Sequence, residues 1–478
     1  MKKILYAAAE CAPFIKTGGL GTVVGSVPEV LIDKGYDVRV VLPLYECIAW
    51  EWKEQMTKVL DFPVRLGWRL QPAALYEFRY YGVLHYFIGN DFYFSGDSPY
   101  SDIWLDVEKF SFFAKAVLEL PAYLDYDPEV IHCHDWHTGL IPVYLRTEYA
   151  GNPFYQHIRT VMTINNLKFQ GQTPLDHFKD ASGLPDDLFT YDKLEYYGCG
   201  NMLKGGLAFA DRITTVSDTY AREIMCPEYG EGLDGLLKYR EEDVSGIVNG
   251  IDARIYDPCT DPNICARYDV HSFHGAKKIN KKDLQQRTGM PEEDDIFTIA
   301  IISRLTEQKG LELLLPVLDS ILEERIQFYV LGGGEERFQE MFLQARERYP
   351  EKIFVQFNYN DPMAKKMYAG CDAVLMPSLF EPCGLCQLMA FRYGTVPVVR
   401  LTGGLVDTVR PYSQKKGISN GFGFEEYSPE ALLHTLNEAV SLFYMKPRAF
   451  TGIARRCMQE DYSWERQSEG YIRLYEGL

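Results

Sequence analysis

The chain has 478 residues, enough for two or three domains with a core in each. Hydrophobic residues make up 46% and charged residues 24%, as in ordinary globular proteins. The net charge of −18 argues against nucleic acid or an anionic membrane as the main partner. No apolar run reaches the length of a membrane span, and eleven cysteines without regular spacing point to free thiols in a reducing cytosol. Residues 1–10 hold two lysines and an apolar run too short for a signal peptide, so they read as a buried first strand over 3–8. A glycine-rich turn at 16–21, KTGGLG, and a helix over 23–34 follow. Further strands are expected at 38–42, 84–88, 130–133, 160–164 and 213–216, then at 297–302, 328–331, 353–356, 373–376 and 396–400. Strands alternating with helical patterns predict an α/β protein with parallel, doubly wound sheets covered on both faces.

The segment 251–296 breaks this alternation. It holds three prolines and an Asn280–Asp283 helix start, and leads into a new first strand. The chain is therefore read as two domains, 1–250 and 251–459, with a last helix over 464–476.

The stretch 376–409 carries the most chemistry. A strand end and a Pro-Ser turn lead to a helix over 383–392 with Glu381 at its start; a second strand then delivers the turn Thr402-Gly403-Gly404. In a parallel sheet such junctions lie together at the carboxyl ends of the strands, where ligands bind. Helix amino ends bind anions there, and glycines admit phosphate close to backbone N–H groups. A carboxylate beside a phosphate cradle suits sugar hydroxyls, so the stretch reads as a nucleotide-sugar site. Arg304 and Lys309 follow the strand at 297–302 and frame a helix expected from Gly310; a planar fork and a point charge both suit a diphosphate. Lys16, just before Gly18 and Gly19, can reach a phosphate too, and the GGGEE run at 332–336 follows another strand.

His132, Cys133, His134 and His137 look like a metal set, but alternate residues at a strand end point to opposite faces and cannot all converge. No metal is expected. Cys383 and Cys386 form a Cys-x-x-Cys without a thioredoxin-like setting and read as structural thiols.

Taken together, KTGGLG at 16–21, HDWHTG at 134–139, YGEGLDGLL at 229–237, NGID at 249–252, SRLTEQKGL at 303–311 and FEPCGL at 380–385 resemble the bacterial glycogen synthase and plant starch synthase family. The resemblance implies a GT-B fold, two Rossmann-like domains facing a central cleft, with the last helix, 460–478, packing back on the first domain. It implies a retaining glucosyltransferase that moves glucose from ADP-glucose to the non-reducing end of an α-1,4-glucan, glycogen or starch. No cofactor beyond the donor substrate is implied. Cytoplasmic placement is expected, or a plastid in a photosynthetic eukaryote, although no transit peptide is evident. Glu381, His137, Arg304 and Lys309 take the catalytic positions of the family. Lys16, Gly18, Gly19, Tyr359, Gly384, Leu385, Thr402, Gly403 and Gly404 take the substrate-binding ones, with His137 facing the donor sugar and Tyr359 stacked on adenine.

The resemblance fails at three places, all in the first domain. Thr22 stands where most members carry Asp, and Asn165 where they carry His. The LDVEKF run at 105–110 sets Leu105 at an Asp position and Lys109 at an Arg, unless a one-residue slip lets Asp106 substitute. These changes raise two alternatives: a related enzyme with another donor or acceptor, or a non-catalytic glucan- or nucleotide-binding paralogue.

Overall fold

The computed structural model describes residues 1–413 and 417–478. The chain divides into two compact units, Met1–Ile247 with Gln467–Leu478, and Val248–Arg466.

The first unit begins with β1 (Lys3–Ala7), β2 (Asp37–Pro43), β3 (Thr57–Leu66), β4 (Arg69–Tyr80) and β5 (Val83–Gly89). It continues through β6 (Val130–His134), β7 (Arg159–Ile164), β8 (Gln172–Pro174), β9 (Glu195–Tyr196), β10 (Cys199–Asn201), β11 (Arg212–Thr215) and β12 (Val244–Gly246). Nine of these make one sheet in the order β12-β11-β7-β6-β1-β2-β5-β4-β3, and β8, β10 and β9 make a small separate one. Seven strands of the large sheet run parallel, and β6 is buried at every residue, as a strand covered on both faces must be.

The expected all-parallel sheet needs one correction: β3 and β4 form an antiparallel hairpin added at the β5 edge. Strand β3 alternates, with Phe62, Val64 and Leu66 inward and Asp61, Pro63 and Arg65 outward. The prolines hid it, since Pro63 and Pro72 read against strands and here sit opposite each other in the pairing.

The second unit has β13 (Phe297–Ile302), β14 (Ile326–Leu331), β15 (Ile353–Gln356), β16 (Ala373–Met376), β17 (Val396–Arg400) and β18 (Phe422–Phe424). All pair in parallel in the order β15-β14-β13-β16-β17-β18, the doubly wound Rossmann order. The order reverses between β13 and β16, and in the first unit between β1 and β6. Ligands of such sheets bind outside the carboxyl ends of the strands at these reversals.

Several helix starts differ from expectation. The first helix begins at Gly19, not 23, and spans Gly19–Asp33. Asn280 does not open a helix; it is buried within Phe273–Thr288, where its amide pairs with the Ala266 N–H and C=O at 2.9 and 2.8 Å. A residue that looks like a cap thus serves a loop backbone instead. The last helix is Trp464–Glu476. Its Tyr475 hydroxyl bonds the Tyr6 hydroxyl and lies 2.6 Å from His132 Nδ1, which ties this end of the chain to β1 and β6. Among the described residues no helix is long and apolar enough to cross a membrane.

Candidate active site

In the second unit, the loops after β13 and β16 meet at the sheet reversal. Gly310 makes this possible: it sits at φ +66°, and a Cβ there would lie 1.9 Å from the Pro377 carbonyl oxygen. Leu379 N–H also donates to Gln308 C=O at 3.0 Å. No α-helix starts at Gly310, contrary to expectation. Tight 3-10 turns occupy Glu307–Lys309 and Leu311–Leu314, and the α-helix follows only at Leu318–Glu323. The close backbone approach takes the room that a regular first turn would need.

This contact places Lys309 against Glu381. The ammonium donates to both carboxylate oxygens at 2.9 and 2.7 Å, and Ser378 Oγ donates to the second oxygen at 2.9 Å. Glu381 is buried. It does not open a helix; it lies in an irregular turn, and the helix expected over 383–392 spans only Cys386–Arg392. Arg400 clamps that turn by donating to the Ser378 and Leu379 carbonyls. Arg304, two residues beyond β13, is exposed, and its guanidinium has no hydrogen bond or ion pair among the described residues.

The turn after β17 differs from a simple phosphate cradle. Thr402, Gly403 and Gly404 are buried, and the Gly404 N–H is already donated to the Glu381 and Pro382 carbonyls at 3.0 and 3.2 Å. Its task in this structure is to hold the Glu381 turn. Gly384 lies at φ +75°, and Leu385 stands just before the Cys386–Arg392 helix. In the glycine run, a Cβ at Gly332 would lie 1.9 Å from the Ser303 carbonyl oxygen, so the loops after β14 and β13 pack backbone to backbone. Tyr359, beyond β15, is 59% exposed, and its hydroxyl donates to Asp361 at 3.2 Å. Burial pushes the Cys383 and Cys386 thiols up to about 12 and about 11, the opposite of an activated redox pair.

In the first unit, the turn after β1 wraps a buried carboxylate. Glu10 accepts from Thr17 N–H and Thr17 Oγ1 at 2.6 Å, from Gly18 N–H at 3.2 Å and from the Tyr100 hydroxyl. Gly19 opens the following helix, and Lys16 is left exposed with no partner among the described residues. His137 follows β6 in a 3-10 turn, stacked on Tyr100 at 5.1 Å and met edge-on by Phe110 at 4.7 Å. Burial pushes its imidazole down to about 3, so the ring is neutral near pH 7 and carries no proton to give as an acid. Its Nδ1 is buried without a hydrogen-bond partner among the described residues.

The three departures resolve differently. Leu105 is 59% exposed, whereas Asp106 is buried and accepts from Ser101 N–H, Ser101 Oγ and Lys109. The buried carboxylate at this place is thus Asp106, while Leu105 faces solvent. Thr22 Oγ1 is buried without a hydrogen-bond partner among the described residues. Asn165 donates from its backbone N–H and its Nδ2 to the two oxygens of Asp135, at 2.7 and 3.1 Å.

Asp135 and Glu10 were not singled out from sequence, although Asp135 directly follows β6 and Glu10 lies three residues beyond β1, the strands flanking the reversal, positions that could have flagged them. Asp135 also holds φ +56°, uncommon for a residue with a Cβ. Burial pushes its carboxyl up to about 7, against the lowering effect of the Asn165 and Asn166 donors. The His132 and His134 rings stack at 4.4 Å, and among the described residues no group of three or more His, Cys, Asp or Glu converges as a metal site would.

Comparison with known proteins agrees with this layout. Residues 3–239 match the starch synthase catalytic domain, and residues 280–450 match the group 1 glycosyl transferases. The chain is 49% identical to a glycogen synthase of Lachnospira eligens and 47% to one of Lachnoclostridium phytofermentans, over the full length of both partners. It is 46% identical to that of Geobacillus thermodenitrificans, covering all of this chain and 98% of the relative. Among solved structures, the catalytic domain of starch synthase IV from Arabidopsis thaliana, bound to ADP and acarbose, matches with a TM-score of 0.91 at 28% identity. That match covers 99% of this chain and 98% of the other. A sucrose-phosphate synthase from Thermosynechococcus elongatus shares the fold, with a TM-score of 0.62 at 16% identity over 100% of this chain and 99% of that one. The chain belongs to the glycogen synthase and starch synthase family of GT-B glycosyltransferases.

Proposed function

We propose that the protein transfers glucose from ADP-glucose to the non-reducing end of an α-1,4-glucan, with retention of the anomeric configuration. The observation that carries this reading is the Lys309–Glu381 pair at the reversal of a Rossmann-order sheet, with Arg304, unpaired among the described residues, in the same loop after β13 as Lys309. A diphosphate would be met by the guanidinium and the ammonium, and the Glu381 carboxylate would accept from sugar hydroxyls. Full-length similarity to glycogen synthases, and ADP bound in the related starch synthase, support the donor and the acceptor class.

In the proposed reaction the acceptor hydroxyl oxygen bonds to the anomeric carbon from the face the nucleotide leaves. The bond from that carbon to the phosphate oxygen breaks, and the hydroxyl proton passes to the departing phosphate of ADP. Positioned cations stabilise the charge that builds on this phosphate, and positioning lowers the barrier further. His137 takes part as a neutral hydrogen-bond partner rather than as an acid. Tyr359, exposed beyond β15, offers its ring to the adenine. Lys16, exposed and unpaired in the first unit, suits a phosphate. Side-chain cations meet the phosphates, so no resident metal or cofactor is proposed, and the site of action is the cytoplasm.

The donor is tested by offering ADP-glucose and UDP-glucose separately with glycogen. Preference for ADP-glucose supports the reading, and preference for UDP-glucose overturns the donor assignment. The buried, unpartnered Thr22 oxygen, where the family mostly has Asp, motivates a second reading with an altered acceptor. Comparing glycogen with short maltodextrins separates the two.

A further inference from the structure

We propose that Asn165 is a positioning residue that clamps the Asp135 carboxylate in one orientation at the carboxyl ends of β6 and β7. This inference rests on the function proposed above.

The clamp follows from the strand register. Strands β6 and β7 are parallel neighbours in which His134 pairs with Thr163, so residues 135 and 165 leave the sheet side by side. Asp135 N–H donates back to the Thr163 carbonyl at 2.9 Å, which fixes its backbone in the left-handed region. Its two carboxylate oxygens then each receive a donor from Asn165, Oδ1 from the backbone and Oδ2 from the amide. A carboxylate held at both oxygens cannot rotate away, and donors aimed at an anion favour its ionised form.

The amide matters because it joins the Asn165 and Asn166 backbone donors in offsetting the charge. Asp135 has no ion pair among the described residues, and the ionisable groups acting on it electrostatically include Glu10 from the turn after β1, Tyr100, and Tyr220 from the helix Asp218–Glu223. Glu10 works against ionisation, and its effect and that of burial are opposed by the Asn165 and Asn166 donors. An imidazole in this place could donate in the same way but would also titrate, whereas an amide keeps one donor at every working pH. The other end of the amide, Oδ1, is buried with no hydrogen-bond partner among the described residues.

The test compares the parent protein with Asn165→Ala and Asn165→Asp, measuring kcat, KM for ADP-glucose and the pH profile of kcat with glycogen as acceptor. Alanine removes the amide donor and leaves the backbone donor. We expect kcat to fall about tenfold with KM changed less than about twofold, since a hydrogen bond to a charged group is worth that much. The acid limb of the profile should move up by about one pH unit, because the lost donor had favoured the ionised carboxylate. Asn165→Asp keeps the side-chain shape and sets a second carboxylate against the first, so its acid limb should move up further, and it gives the reading if the alanine variant does not fold. An acid limb left at the parent's pH in the folded variants overturns the clamp, whatever happens to the rate. A parent protein that transfers no glucose to glucan would instead refute the function on which the clamp rests.

Discussion

The Lys309 ammonium donates to both oxygens of Glu381, at 2.9 and 2.7 Å, although 72 positions separate the two residues in the chain. The loops after β13 and β16 are brought together by the Gly310–Pro377 backbone contact, and the pair sits where they meet. Two groups in contact should act as one unit in catalysis. Lys309→Ala and Glu381→Gln are each expected to lower kcat/KM for ADP-glucose by about 10²–10³. The double variant should be no more than about threefold worse than the poorer single one. Losses that multiply would show that the two residues act independently.

Arg304 offers a cleaner phosphate probe, because its guanidinium has no partner among the described residues to lose. Arg304→Ala should leave stability within about 0.5 kcal/mol of the parent. Turnover should fall by about 10²–10³, with weaker ADP binding by calorimetry. Unchanged ADP affinity would remove Arg304 from the phosphate site.

Activity should persist in EDTA, since the account gives the diphosphate to side-chain cations. Dialysis against EDTA followed by assay with and without added magnesium checks this. Full loss restored by the metal would contradict it.

Asp106 and Lys109 form an ion pair with both side chains buried, while Leu105 beside them faces solvent. Asp106→Ala would leave the Lys109 charge buried and unpaired, and should cost roughly 3–5 kcal/mol of stability. Leu105→Asp, which adds a carboxylate on the exposed face, should change neither stability nor rate. A rise in turnover with Leu105→Asp would return the family's acidic role to position 105.

The first unit should also weaken in acid. Burial pushes His85 down to about 4, and His134 and His137 down to about 3. In the unfolded chain a histidine protonates near 6.5, so below that pH the unfolded state binds more protons and stability falls with pH. The loss is about 2 kcal/mol per ring by pH 5. Asp135, pushed up to about 7, acts in the opposite sense between pH 7 and its ordinary value of 3.8, and the three rings outweigh it. Calorimetric melting should therefore show a Tm that drops between pH 6.5 and 5; a flat or rising Tm would contradict the buried neutral rings.

Much of this layout was legible in the sequence where one force dominates. Strands β13 and β16 are continuous apolar runs, and burial on both faces leaves them no other pattern. The β3–β4 hairpin was not legible, because Pro63 and Pro72 argue locally against strands that tertiary pairing imposes. At the site, the local motifs named Lys309 and Glu381, but their ion pair depends on a Gly310 contact with a carbonyl 67 residues away in number and adjacent only in the fold. Helix starts failed where backbone packing takes the first turn, as at Gly310, or where a polar residue such as Asn280 spends its amide on a distant loop. Asp135 stayed hidden for a related reason: its meaning lies in the Asn165 donors that the register of β6 and β7 supplies.

The most direct measurement follows label from ADP-glucose carrying radioactive glucose into glycogen, and then digests the product with β-amylase, which cuts α-1,4 links from non-reducing ends. The account predicts that label enters glycogen in step with ADP release, depends on added glycogen, and is recovered as labelled maltose. ADP-glucose that binds without label entering the glucan, or label that resists β-amylase, would contradict it.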